Sequence, residues 1–214
     1  MPRISLKAKK SRMEEVVGRL KKTYPEAKGA LCYSNPLELL IATILSAQCT
    51  DERVNRVTTS LFKTYRSAQD YLDIPLDVLE KNVFSTGFYH NKAANIKKCC
   101  RALVDLHNGE VPHTMDDLTA LGGVGRKTAN VVRGNVFGLP GIAVDTHVKR
   151  LSGLLGFTKL THPVKIETDL MNIVPESHWT ALGHLFAHHG RAICIARRPK
   201  CDECILSDLC PSAK

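Results

Sequence analysis

Apolar side chains return at every third or fourth position along most of this chain and seldom alternate with polar ones, the pattern of helices that bury one face. Aromatic residues make up only 6% of it, and the pattern predicts an all-α fold. Asn35, Pro36 and Glu38 read as a cap, a first helical residue and the acid of a capping-box variant. They open a Leu- and Ile-rich helix that should be buried. After Asp51, the residues Val54, Val57, Leu61 and Tyr65 form one stripe, with Arg53, Arg56 and Lys63 off it. A further helix runs from about Asn91 to Asn108, with Ile96, Cys100, Leu103 and His107 on one face and Gly109 as its stop. Pro or Gly at Pro75, Pro112, Gly122 to Gly125, Pro140, Pro163 and Pro175 divides the chain into about ten helical segments.

A chain of 214 residues fits one large or two small domains. Its longest apolar run, Leu37 to Ala47, is interrupted by Glu38, Thr43 and Ser46 and falls short of the roughly 18 residues that a membrane span needs. The basic start, Met1 to Arg12, is not followed by the apolar stretch of a secretory signal, so an intracellular, cytoplasmic setting without disulfides is expected. Lys and Arg number 30 against 21 Asp and Glu, a net charge of +9, which makes a polyanion the leading class of partner.

The eight cysteines fall into two groups. Cys32, Cys49, Cys99 and Cys100 have no ligand spacing and read as small core hydrophobes. Cys194, Cys201, Cys204 and Cys210 lie within seventeen residues as C-x6-C-x2-C-x5-C, in a segment too short and polar to build a core. In a reducing cell such a cluster reads as metal ligands, and thiolates suit zinc and iron–sulfur clusters alike. The loop between the first two ligands carries Arg197, Arg198 and Lys200, with Arg191 just before it, and would present cations to a phosphate backbone. His184 and His188, four apart, lack a third ligand and read as surface or capping residues.

Between two helical stretches lies Leu121-Gly122-Gly123-Val124-Gly125-Arg126-Lys127. Its glycines would expose backbone N–H groups at a helix start, where an anion is attracted. The spacing does not match a Walker loop, since Arg126 intervenes before Lys127. Without further context a less favoured reading is a helix–turn–helix corner that needs Gly for close packing. Lys127 falls in the first turn of the following helix, where the dipole and Arg126 both oppose a positive charge; a neutral amine there is a nucleophile able to form a Schiff base with a sugar C1′. Downstream, Val144-Asp145-Thr146-His147-Val148 puts a carboxylate at another helix start. Asp145 is either a plain N-cap or a cap that also accepts a proton or stabilises a sugar cation.

The hairpin with its Lys, the Asp145 stretch, the four-Cys tail and Leu45-Ser46-Ala47-Gln48-Cys49-Thr50-Asp51 together resemble the endonuclease III family of DNA glycosylases with AP-lyase activity. The match runs in order from about Asn35 to Cys210. It implies a helix-hairpin-helix glycosylase fold with a helical barrel domain over 29–139 and a discontinuous cluster domain, 1–28 with 140–214, and DNA entering between them. It also implies a [4Fe–4S] cluster on the tail cysteines, Lys127 as nucleophile, Asp145 as its activator and Gln48 filling the space left by a flipped nucleotide. Gly122, Gly123, Gly125, Arg126, Thr146, His147 and Lys92 join the tail cations as expected DNA contacts. Where the family often has Gly-Leu-Tyr-Asn before a Lys, this chain has Gly87-Phe88-Tyr89-His90-Asn91 before Lys92, so Phe88 would be a bulkier wedge at a base step.

The function so implied is base-excision repair. A damaged base, an oxidised pyrimidine by family expectation, is removed from double-stranded DNA and the strand is cut by β-elimination through a Lys Schiff base. A monomer associated with the nucleoid is expected. An adenine-mismatch glycosylase would need a Glu where Thr43 stands, and the extra C-terminal recognition domain is missing. A non-catalytic DNA-binding module would need neither Lys127 nor Asp145. The N-terminal basic tail, Arg3 to Arg12, lies outside the match and carries only nonspecific charge in this reading.

Overall fold

A computed structural model describes residues 5–213, which contain helices and no strand. Eleven α-helices are present among them, and none is long and apolar enough to cross a membrane. The chain divides into two compact units. One is Ala30–Leu139; the chain up to Gly29 joins the chain from Pro140 onward in the other. Arg3 lies outside the described residues.

In the first unit α2 (Pro36–Leu45) is the central element, with Leu39 through Leu45 all buried. Its start is capped as the sequence predicts: the Asn35 side chain accepts from the Glu38 N–H at 2.9 Å. The box closes one residue early, because the Glu38 carboxylate accepts from the Ser34 N–H (2.6 Å) and hydroxyl (2.8 Å) rather than from Asn35. Each fully buried Leu or Ile contributes about 1.5–3 kcal/mol relative to exposure, so this continuous apolar segment makes α2 the anchor against which its neighbours pack. Helix α3 (Asp51–Thr64) turns Val54, Val57 and Leu61 inward, whereas Tyr65 ends the helix and is half-buried. After α4 (Ala68–Asp73) and α5 (Leu76–Val83), helix α6 (Tyr89–His107) buries Lys92, Ile96, Cys99, Cys100 and Leu103. Its stop uses two residues: Asn108 adopts φ 52° and Gly109 φ 81°, and the Gly109 N–H returns to the Leu103 carbonyl. Helices α7 (Met115–Ala120) and α8 (Arg126–Val136) flank the glycine turn.

Of the four cysteines read as core, Cys99 and Cys100 are fully buried, Cys49 is half-buried in a turn, and Cys32 is exposed. The last two depart from the expectation because neither lies in a helix, so no periodic face draws them inward.

The second unit closes over its own core. Met13, Val16, Val17 and Leu20 of α1 (Leu6–Thr23) pack with Val148 and Leu151 of α9 (Thr146–Leu154), Ile166 and Leu170 of α10 (Pro163–Met171), and Leu182, Leu185 and Phe186 of α11 (Trp179–Ala192). The polar face of α1 holds the end of the chain. Arg19 makes a two-pronged bond to Asp208 (2.6 and 2.9 Å) and donates to the Ile205 carbonyl at 2.8 Å. Arg12 donates to the Leu209 carbonyl at 3.1 Å and lies 4.6 Å from the Phe157 ring centroid. Within the basic start, Lys9 and Arg12 are therefore structural cations rather than nonspecific charge; the Lys9 ammonium donates to the Phe157 carbonyl.

Candidate active site and cluster centre

The glycine turn is held by α6. A Cβ at Gly122 would lie 2.6 Å from the Lys98 Cβ and 3.0 Å from the Asn95 carbonyl, so only glycine lets the turn backbone approach that helix. Gly123 has φ 75° and would also clash with Asn95. Gly125 differs: its φ is −94°, and a Cβ there would meet open space. Gly125 opens α8 with no side-chain cap, which leaves the first N–H groups of that helix facing outward, together with exposed Arg126 and Lys127. Close packing and an uncapped helix start coexist in one turn, at different glycines.

Asp145 is the N-cap of α9, its Oδ1 accepting from the Val148 N–H at 2.8 Å. The capping role is thus real and occupies one carboxylate oxygen. The same negative charge favours the protonated forms of His147 and His184, although burial, the larger effect, lowers the pKa of both. Thr146 is exposed; half-buried His147 packs where Gly190 of α11 has no side chain, and its Nδ1 is 3.4 Å from Arg150.

Gln48 and Phe88 share an unusual backbone. Both adopt left-handed conformations, φ 52° and φ 49°, that non-glycine residues rarely take. Both are exposed, Phe88 by 61%. A large apolar ring held outward on a strained turn is not a core residue. Lys92 is a correction to the sequence reading. It is 4% exposed, and its ammonium donates to the Thr86 carbonyl at 2.7 Å, so it does not reach a phosphate. The reason is helical phase: Lys92 shares the inward face with Ile96, Cys99 and Leu103.

The four tail cysteines line one cavity of about 290 Å³. Four cysteines on one cavity are the donor set of a thiolate-bound metal centre. Burial raises the Cys194 and Cys204 pKa values, opposed at Cys194 by Arg150 and at Cys204 by the Leu206 N–H. A polar shell surrounds them. Arg150 donates to the Cys194 carbonyl and, at 3.4 Å, to its Sγ. Buried His189 lies 3.4 Å from the Cys204 Sγ through Nε2 and 3.2 Å from the Tyr24 hydroxyl through Nδ1. The sequence reading missed Arg150, His189 and Tyr24; a His five residues before the first ligand was the one available signal. It singled out His184 and His188 instead. His184 is half-buried, and the His188 Nε2 lies 3.4 Å from the Lys28 carbonyl.

Arg191, Arg197, Arg198 and Lys200 are exposed. The loop bearing the last three is closed by the Lys200 N–H donating to the Ile193 carbonyl at 3.0 Å, while the Lys200 ammonium lies 3.5 Å from Glu203.

Residues 41–176 match a family described as HhH-GPD superfamily base excision DNA repair protein, and residues 194–210 match the iron–sulfur binding domain of endonuclease III. Endonuclease III of Synechocystis sp. is 51% identical over 208 residues, 97% of this chain and 95% of that protein. The chain belongs to the endonuclease III family. Cys194, Cys201, Cys204 and Cys210 accordingly hold a [4Fe–4S] cluster, the cofactor of this family, which cross-links the tail. Two solved structures resemble it with TM-scores of 0.91, 46% identity and coverage of 95% of this chain and 96% of theirs: a non-covalent endonuclease III–DNA complex and a trapped endonuclease III–DNA covalent intermediate.

Proposed function

We propose that this chain excises damaged bases from double-stranded DNA and cleaves the resulting abasic strand, with Lys127 as nucleophile and Asp145 as its activator. The observation that carries this reading is Lys127 itself: an exposed amine in the first turn of α8, beside uncapped N–H groups that suit a phosphate. The likeness to a trapped endonuclease III–DNA covalent intermediate supports it, because such trapping requires a protein nucleophile.

In this reading the glycine turn grips the backbone beside the lesion while Phe88 and Gln48 enter the stack as the nucleotide leaves it. The carboxylate of Asp145 takes a proton from the Lys127 ammonium. The amine bonds to C1′ as the C1′–N bond breaks, and the base leaves with that electron pair and the proton from Asp145, whose restored carboxylate then faces the positive charge on the sugar. Opening of the sugar ring gives an imine, loss of a C2′ proton breaks the C3′–O bond, and water then releases Lys127. The cluster's part is to stabilise the tail that bears Arg197, Arg198 and Lys200.

Oxidised pyrimidines are the proposed lesions, a monomer the proposed state, and chromosomal DNA in the cytoplasm the proposed setting. Borohydride added during reaction with abasic duplex should yield a covalent protein–DNA adduct. Its absence would return the chain to a non-catalytic DNA binder. Duplexes each bearing one type of damaged base would identify the substrate, and preference for a purine lesion would reject the pyrimidine assignment.

A further inference from the structure

A buried lysine on an inward helix face needs an explanation, because removing an ammonium from water is expensive unless it is bound. Lys92 is bound to the segment that carries the wedge. Its Nζ donates to the Thr86 carbonyl at 2.7 Å, and its backbone N–H donates to the Phe88 carbonyl at 3.0 Å. One residue therefore grips the chain on both sides of Gly87. That span contains two consecutive positive φ values, 71° at Gly87 and 49° at Phe88. Thr86 is itself buried and tied by its hydroxyl to the Val83 carbonyl at 2.8 Å, so the carbonyl that receives the ammonium is fixed.

Gln48 has the other left-handed backbone expected at the DNA, and its turn is closed by the Cys49 N–H donating to the Ser46 carbonyl at 3.1 Å. A methionine would fill the same volume without the desolvation penalty, so packing alone does not account for a lysine here.

We propose that Lys92 is a positioning residue for nucleotide extrusion, its buried ammonium holding the Phe88 turn in its strained outward form. The inference rests on the wedge roles assigned to Phe88 and Gln48 above. It makes Lys92 act through Phe88 and not through DNA. The strained φ at Phe88 persists only while the surrounding structure over-determines it, and Lys92 supplies that constraint from inside the unit.

The test uses the full chain with its cluster and compares Lys92→Met, Phe88→Ala, Gln48→Ala and the Phe88→Ala/Lys92→Met pair. Single-turnover excision from an oxidised-pyrimidine duplex at saturating protein should slow about 10- to 10²-fold in Lys92→Met, the scale expected when a positioning contact is lost. Imine trapping on a duplex with a preformed abasic site, which has no base to extrude, should stay near wild type, as should affinity for undamaged duplex. A 2-aminopurine opposite the lesion should brighten less on binding. The paired variant should lose less than the sum of its parts, since both changes disable one device.

Equal losses in excision, trapping and binding would mark Lys92 as merely structural and overturn the proposal, as would additivity in the pair. If Phe88→Ala and Gln48→Ala both excise normally, the wedge reading fails and the proposal with it. If they are impaired while Lys92→Met is normal, only the proposal fails. Should Lys92→Met not fold, Lys92→Gln, which retains an N–H donor on a shorter arm, must show the same split between excision and trapping or the proposal is lost.

Discussion

Within Ala30–Leu139 the chain folds onto a helix whose buried run, Leu39 to Leu45, is contiguous in sequence and needs nothing but apolar surface. The unit built from the two chain ends works differently. Its helices share an ordinary core, but in the stretch after Ile193 Leu206 is the one hydrophobic side chain in the buried core among the described residues. That tail is instead held by Arg12 and Arg19 at its carbonyls and carboxylate, and its four cysteines line one cavity. Helices with a full stripe fold by burial; a short polar tail with too little surface to bury needs a metal. The proposed chemistry draws on both units: the nucleophile comes from the self-sufficient one and the activating carboxylate from the other.

The largest effect is expected in the first unit. Lys127→Gln should abolish imine trapping and strand cleavage while abasic duplex is still bound through the N–H groups of the glycine turn, as gel-shift and borohydride assays can read together. Trapping at the wild-type level would move the nucleophile elsewhere and remove the division of labour. In the second unit, Asp145→Asn should slow base excision about 10²–10⁴-fold, the range for losing an acid–base group. An Asn caps a helix as well as Asp does, so the melting temperature should not move. Unimpaired excision would leave Asp145 only its bond to Val148.

Removing iron separates the units by stability. Cluster extraction should expose the chain after Ile193 to proteolysis while the far-ultraviolet helical signal persists, because the helices of both units have cores of their own. A single shared melting transition before and after extraction would erase the contrast. The converse perturbation is Ile41→Ala, which should cost about 2–5 kcal/mol, as a large-to-small change in a packed core does. Its iron content should be unchanged in the folded fraction, and loss of iron in step with unfolding of α2 would show the units to be coupled.

The smallest effect concerns the tail cations. Affinity for duplex should fall with salt with a log–log slope of about −0.9 per phosphate neutralised. Replacing Arg197, Arg198 and Lys200 together by Ala should flatten that slope. Lys200 alone should contribute least, because its ammonium already faces Glu203. An unchanged slope in the triple variant would take this loop off the DNA.

Much of this arrangement was legible in local patterns. Asn35-Pro36-x-Glu38 announced α2, and the Ile96, Cys100, Leu103 stripe announced α6, because caps and helical periodicity are properties of neighbours a few residues apart. The cysteine spacing announced the metal centre for the same reason. The charge of Lys92 suggests a phosphate contact, but four residues before Ile96 it lies on the inward face.

The sequence by itself determined the helical class, the ligand set of the tail and the turn that presents Lys127, since each depends on spacing within one short segment. Only the tertiary structure decided which glycine does what: Gly122 and Gly123 are dictated by Asn95 and Lys98, residues more than twenty positions away, while Gly125 is left open. It also decided that the four cysteines line one cavity, that His189 and Arg150 stand behind them, and that a buried ammonium grips the Phe88 turn. These features arise from distant segments brought together by packing, and the strength of a hydrogen bond or a clash depends on tenths of an ångström that no one-dimensional pattern contains.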